Sequence, residues 1–302
     1  MFFDLHSDIL YDVVKKCLAG KLNPIKDYHL KQYHEGEFIG GIWTYYTDIN
    51  NPLCEFNMAL DYILEALEET KDVVNIIKNR GDYDYYKLNV LLGFEGLAPV
   101  KDPEELETLY NLGFRHAMLT WNEQNHFATG VSGDDNRGLT DKGKELVSYM
   151  NERNMIIDIS HANIKTALDI INLSQKPVIA SHSNIYNLCP NKRNISDECI
   201  EKLMEKDGLI GITAVRPFVN PQKPTVAEMV KHIEYLRQKD YLDHIGLGFD
   251  FMDYLDTKNL DDLLIPKDAE NIIKALDNLF YSEIEIDQIT YLNALNFINN
   301  II

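Results

Sequence analysis

The feature that most limits what this chain can fold into is an alternation repeated eight times. Short apolar runs suited to buried parallel strands stand at 1–5, 38–46, 88–95, 116–121, 155–160, 177–181, 209–215 and 244–250. Between most of them lie segments with apolar residues at helical spacing, at 56–79, 103–112, 140–153, 163–174, 195–206, 224–239, 266–280 and 285–299. Consecutive parallel strands need a crossover, so strand and helix in alternation mean a parallel sheet. Eight strands point to an α/β fold of the closed (β/α)8 or TIM-barrel type rather than an open doubly wound sheet. Such a barrel takes roughly 250 residues, so a chain of 302 is expected to form one domain over residues 1–302. Helix-start signals agree. Asp102-Pro103-Glu104 and Pro224-Thr225 put proline in a first turn, and Thr140 and Ser196 suit the N-cap.

Charge narrows the partners. With 29 basic and 48 acidic residues the chain carries a formal charge of -19, which repels phosphate backbones and anionic lipid. Nucleic acid and membrane are therefore not expected as partners. The four cysteines, Cys17, Cys54, Cys189 and Cys199, form no CxxC pair and are read as reduced thiols. The first residues lack the basic and apolar regions of a secretion signal, and no stretch approaches the roughly 18 apolar residues of a membrane span. A cytoplasmic, soluble protein is expected.

In a (β/α)8 barrel the chemistry sits at the C-terminal ends of the strands, where the βα loops are. His6 and Asp8 end the first run and Glu95 ends Leu91-Leu92-Gly93-Phe94-Glu95. His161 follows Ile156-Ile157-Asp158-Ile159-Ser160, His182 follows Val178-Ile179-Ala180-Ser181, and Asp250 closes Ile245-Gly246-Leu247-Gly248-Phe249. One such histidine is more often a hydrogen-bonded loop residue than a ligand. Chance does not explain why six ionisable groups all choose the same end of five strands, and buried charge demands a partner or a metal. His6 and Asp8, two apart on a strand, face the same way. Imidazoles with carboxylates suit zinc, or manganese, iron or cobalt, and the absence of thiolates argues for a catalytic rather than a structural site. Glu95, arriving between the two pairs, is placed to bridge two metals about 3.5–4 Å apart, with a shared hydroxide as nucleophile.

Several residues carry two readings. Asp250 is either a further ligand or, as preferred, a proton shuttle from water to a leaving amine. Gly246 and Gly248 either leave room for a ligand or mark tight backbone packing. The loop from Ser183 to Asn194 gathers basic residues in an acidic chain. Arg193 there either clamps a substrate carboxylate with paired hydrogen bonds or forms a salt bridge to the acidic surface.

Together these residues resemble the membrane (renal) dipeptidases, the M19 peptidases. Asp4-Leu5-His6-Ser7-Asp8 is similar to that family's D-x-H-x-D, and Gly93-Phe94-Glu95-Gly96 to its bridging-glutamate segment. Asp158-Ile159-Ser160-His161 and Ser181-His182-Ser183-Asn184 resemble its two histidine motifs. Arg193-Asn194 resembles its substrate-binding RN, Gly248-Phe249-Asp250-Phe251 its G-x-D-F, and Asn296-Phe297 the N-F that ends its members. The matches run in order from residue 4 to residue 297. The resemblance implies two zinc ions, one held by His6, Asp8 and Glu95, the other by Glu95, His161 and His182. It also implies hydrolysis of dipeptides, often with a D-residue at the C-terminal position, by a metal-bridging hydroxide. Arg193, with Asn194, would hold the substrate carboxylate, and Asp250 and Glu95 would act in catalysis. Family members are often dimers.

One departure stands out. Where animal members carry a histidine after Leu-Thr, this chain reads Leu119-Thr120-Trp121-Asn122-Glu123-Gln124-Asn125-His126. The Trp121 indole N–H still donates a hydrogen bond to substrate, with His126 and Asn125 as candidates for the missing imidazole's role. Two alternatives follow: the same metal barrel acting on another amide, a lactone or a β-lactam, and a binding or regulatory barrel without turnover.

Overall fold

The computed structural model describes residues 1–47, 50, 52–255 and 257–302. Among the described residues nine parallel strands form: β1 (Phe2–Ser7), β2 (Phe38–Tyr46), β3 (Val74–Ile76), β4 (Leu88–Glu95), β5 (Phe114–Met118), β6 (Ile156–Asp158), β7 (Ile179–Ala180), β8 (Leu209–Ile212) and β9 (Ile245–Leu247). Their pairing runs β2-β1-β9-β8-β7-β6-β5-β4-β3, and a further β2–β4 pairing closes the circle without β3. The result is an eight-stranded parallel barrel with helices between the strands, and each of the eight apolar runs supplies one barrel strand.

The ninth strand corrects the expected helix at 56–79. That helix spans Phe56–Glu69 only. The Thr70 hydroxyl turns back onto the carbonyls of Ala66 and Leu67 and helps end it. Val74-Asn75-Ile76 then pairs with Leu88–Val90, an edge of β4 that β5, beginning opposite Leu92, does not reach. β-branched side chains favour that outcome over another helical turn. A helix that periodicity did not single out, Ile9–Leu18, follows β1 directly.

Helix capping follows the sequence at three of four places. Asp102, with Pro103 in the first turn, accepts from the Glu105 N–H; Thr140 accepts from Gly143, and Ser196 from Cys199. Pro224 instead precedes the cap. The helix Val226–Arg237 starts after Thr225, whose hydroxyl makes no bond, and Asp262 accepts from the Val226 N–H at 2.8 Å.

The main core lies between barrel and helices, and a second apolar cluster takes Phe3, Leu5, Ile42, Leu91, Ile156, Ile179 and Leu209 from the strands. The C-terminal helix Asn293–Ile301 packs Phe297, Ile298 and Ile301 on that cluster, and Asn293 donates to Leu242 and Ile245 at the start of β9. This helix therefore stops the N-terminal end of the barrel and leaves the C-terminal end for chemistry. All four cysteines are free thiols. Among the described residues no helix is long and apolar enough to cross a membrane.

Candidate metal centre

The rim at the C-terminal ends of the strands brings His6, Asp8, Glu95, His161, His182 and Asp250 together, all buried. Three overlapping sets, His6/Asp8/Glu95, Glu95/His161/His182 and His6/His182/Asp250, each have ligand atoms within 4.8 Å of one another. Glu95 is the hinge of the arrangement. Its Oε1 stands 2.7 Å from His161 Nε2 and 3.6 Å from the Nε2 atoms of both His6 and His182. Asp8 reaches the cluster differently from the expected strand alternation: it lies one residue past β1, at the N-cap of Ile9–Leu18, with Oδ1 3.8 Å from His6 Nε2. The turn into the helix, not the pleat, aims its carboxylate.

Partners around the cluster fix which atoms face inward. Asn122 Oδ1 lies 2.9 Å from His161 Nδ1, and Ser181 Oγ lies 2.9 Å from His182 Nδ1. Each contact occupies Nδ1 and leaves Nε2 free to ligate. Thr44 Oγ1 donates toward Asp8 Oδ1 at 3.0 Å. None of these three stood out in the sequence, because a polar residue beside a ligand has no spacing of its own. His161 and Asp250 both adopt left-handed backbone, with φ of 71° and 53°. Non-glycine residues rarely do so, and such strain gathers at functional sites. At Asp250 it is braced on both sides, by its N–H on His6 O and by Asn259 Nδ2 on its carbonyl.

The donor set fits divalent cations. Burial pushes His6 down to about 3 and also holds His161 and His182 well below the usual imidazole range, so all three present neutral, ligating nitrogens. Burial raises Asp8 to about 6 against the hydrogen bonds of Glu95 and Thr44, and it lifts Glu95 and Asp250 well above ordinary carboxylates, where the neighbouring acids add to it. A cation reverses that preference by supplying the missing positive charge. Both ring nitrogens of His6 and the Oδ1 of Asp250 are buried without a hydrogen-bond partner, which is the state of atoms meant for a ligand rather than for the protein.

The basic loop divides residue by residue. Lys192 is exposed and pairs with Asp135 at 3.3 Å, the surface salt bridge. Arg193 is buried, its Nε and Nη2 lack partners, and its guanidinium lies 5.2 Å from the Phe218 ring. Burial lowers it to about 10 against the pull of Glu95, Asp250 and Asp158, so it stays a cation at neutral pH. Asn194 is not brought to the cluster. Its amide donates to Cys189 O and Phe218 O, and its Oδ1 accepts from the Asn184 N–H, which holds the loop that carries Arg193.

Trp121 stacks on His161 with ring centres 5.6 Å apart and leans on Tyr46 at 4.8 Å, so it walls the site beside one ligand. His126 turns to Val100 O, and the Asn125 side chain binds Leu119 O and the N–H groups of Phe127 and Ala128. Asn125 is committed to its own loop and His126 to the loop that follows β4. The Tyr254 hydroxyl, missed in the sequence, is buried without a partner on the side of Asp8 and Asp250.

Gly248 marks tight packing rather than room for a ligand. A Cβ there would stand 1.8 Å from Ser181 O, as it would at Gly211, and one at Gly246 would meet Leu5 at 2.5 Å. The Ser181 carbonyl, just before His182, thus lies against two glycines, where any side chain would collide with it.

The family profile described as "Membrane dipeptidase (Peptidase family M19)" matches residues 1–301. The chain belongs to the membrane dipeptidase family. Among curated relatives, the dipeptidase aclJ of Aspergillus oryzae is 34% identical over 171 residues, covering 55% of this chain and 40% of that protein. An uncharacterised dipeptidase of Schizosaccharomyces pombe is 31% identical over 207 residues, covering 66% of this chain and 48% of its own length. The matched stretch thus spans less than half of either relative. A solved metallopeptidase from Rhodobacter sphaeroides, liganded with a phosphinate mimic of the dipeptide L-Ala-D-Ala, superposes with a TM-score of 0.88 at 20% identity, covering 100% of this chain and 99% of the other. The barrel fold is therefore shared from end to end.

Proposed function

We propose that this member of the M19 family is a dipeptidase that hydrolyses the peptide bond of dipeptides at two divalent cations, zinc by preference, and accepts a D-residue at the C-terminal position. The observation that carries this reading is a buried guanidinium, Arg193, with Nε and Nη2 unpartnered, beside a cluster of three imidazoles and three carboxylates in which Glu95 is common to two of the three ligand sets. His6, Asp8 and Glu95 would hold one cation, and Glu95, His161 and His182 the other. When bound, the cations polarise the scissile carbonyl and make water a competent nucleophile at neutral pH.

The chain's own groups do the rest. Arg193 grips the substrate's free carboxylate through Nε and Nη2, two parallel donors suited to a planar anion. A dipeptide held there would present its one peptide bond to the cluster, whereas a longer peptide carries its free carboxylate farther from the bonds that precede the last. Asp250 Oδ1 takes a proton from the attacking water and delivers it to the leaving amine. Trp121 and Tyr46 cover the His161 side and exclude bulk water from it.

Amine release from a panel of L,L and L,D dipeptides tests the reading. Hydrolysis that stops with chelator and returns with zinc is expected. Arg193→Ala should raise KM for dipeptides by roughly 10²-fold, the loss of a paired charge-assisted contact, with a smaller change in kcat. Zinc-loaded protein that cleaves no member of the panel would overturn it. Turnover of dipeptides indifferent to Arg193→Ala would move the substrate to another amide, a lactone or a β-lactam.

A further inference from the structure

Two joints of the barrel are thin. β9 and β1 meet in the ladder through the one pair Asp4↔Leu247, and β6 and β7 through the one pair Asp158↔Ile179. Neighbouring joints are longer, as between β2 and β4, where the register runs from Gly40↔Asn89 to Tyr46↔Glu95. The strand ends above both thin joints carry the cluster: His6 and Asp250 above one, His161 and His182 above the other. Where a ladder runs out, the next backbone N–H groups need another acceptor or the strands splay.

The same device serves at both joints. Asp158 Oδ1 accepts from the N–H of Ser160 at 2.9 Å and of Ser181 at 3.1 Å, the residues just before the two histidines. Its Oδ2 lies 2.9 Å from His116 Nε2. Asp4 Oδ1 accepts from the N–H of His6 at 3.2 Å and of Phe249, just before Asp250, at 2.9 Å. Its Oδ2 accepts from the Tyr33 hydroxyl at 3.3 Å. Each carboxylate is fully buried, ties two neighbouring strand ends with one oxygen, and is oriented through the other by a single buried aromatic donor. Neither aspartate belongs to any of the three ligand sets.

We infer that Asp4 and Asp158 are positioning residues, each setting one side of the metal centre: Asp158 sets His161 and His182, and Asp4 sets His6 and Asp250. The inference rests on the metal centre proposed above but not on the peptidase activity. Its consequence is an asymmetry. Loss of one staple loosens the cation on its own side and leaves the other side in place.

Titration of Co²⁺ into metal-free full-length protein reads this directly. His6→Ala leaves only the Glu95/His161/His182 set, and His182→Ala leaves only the His6/Asp8/Glu95 set. Asp158→Ala added to His6→Ala should weaken the remaining Co²⁺ by roughly 10–100-fold, the usual effect of removing a group that orients a ligand. Added to His182→Ala it should change affinity far less, because neither strand end that Asp158 ties carries a residue of the remaining set. Asp4→Ala should give the reverse pattern. Asp158→Asn and Asp4→Asn keep an acceptor oxygen but lose the charge, so they should show the same pattern at lower amplitude and serve if an alanine variant does not fold. Equal losses in both backgrounds, or none in either, would overturn the inference, since a general scaffolding role does not choose sides. Protein that takes up Co²⁺ in this pattern yet cleaves no dipeptide would sink the peptidase reading and leave the inference standing. Wild-type protein that takes up no Co²⁺ would end both.

Discussion

The two sides of the cluster are built to different degrees of order. On one side, His161 and His182 have their Nδ1 atoms held by Asn122 and Ser181, and the strand ends beneath them share Asp158. That aspartate stays below the ordinary carboxylate range: burial would raise it, but the bonds from His116, Ser181 and Ser160 outweigh burial. On the other side neither nitrogen of His6 has a partner, Asp250 Oδ1 has none, and burial pushes the tying Asp4 up to about 7. The first side is ordered by the protein and the second waits for a cation to order it. The two-cation centre proposed above is expected to fill from the His161/His182 side.

Glu95 belongs to the sets proposed for both cations, so its loss is the most severe way to break the comparison. Glu95→Gln should empty both sides rather than one and lower kcat/KM by roughly 10³-fold or more, as when a principal electrostatic element is removed. Metal analysis of the purified variant checks it. Retention of one cation at wild-type affinity would show that Glu95 serves a single side.

The ordered side also has a titratable brace. His232 Nδ1 accepts from the N–H of Ile185, three residues past His182, and its Nε2 lies 3.2 Å from Val219 O. Burial lowers His232 from 6.5 to about 4. The unfolded chain therefore binds the extra proton first as pH falls, so this contribution is whole above pH 6.5 and is lost between 6.5 and about 4. At pH 5 the loss amounts to about 2 kcal/mol. His232→Asn keeps an acceptor for Ile185 without the titration. Urea unfolding at pH 7 and pH 5 should show wild type losing about 2 kcal/mol more than the variant. Parallel losses would mean that the His232 ring is not held neutral.

The barrel was legible because its signal is repeated. Eight apolar runs and the helices between them agree with one another, so a misplaced end such as 56–79 does not change the topology. The residues of the cluster were legible for a related reason: each stands at or just past the end of a strand, and strand ends of a barrel converge. What the sequence hid acts through partners. Asn122, Ser181 and Thr44 are ordinary polar residues until the fold sets them against an imidazole or a carboxylate. Asp4 and Asp158 sat inside the recognised motifs, yet their bonds to Phe249 and Ser181 cross between strands and cannot be read along the chain. Gly248 was ambiguous because the Ser181 carbonyl that fills its empty side comes from a distant strand.

The finest test sets one brace from each side against the other. Asn122→Ala removes the acceptor that fixes His161 Nδ1, which frees the ring to turn and to exchange tautomers. Affinity for the cation on that side should fall roughly 10-fold. Thr44→Val removes a donor from Asp8, but a carboxylate keeps other lone pairs for the cation and its aim comes from the helix cap. The change there should stay within about 2-fold. Competition with a chromogenic chelator measures both. If Thr44→Val costs more affinity than Asn122→Ala, order is distributed the other way, and the His6 side rather than the His161/His182 side would be the one the protein prepares in advance.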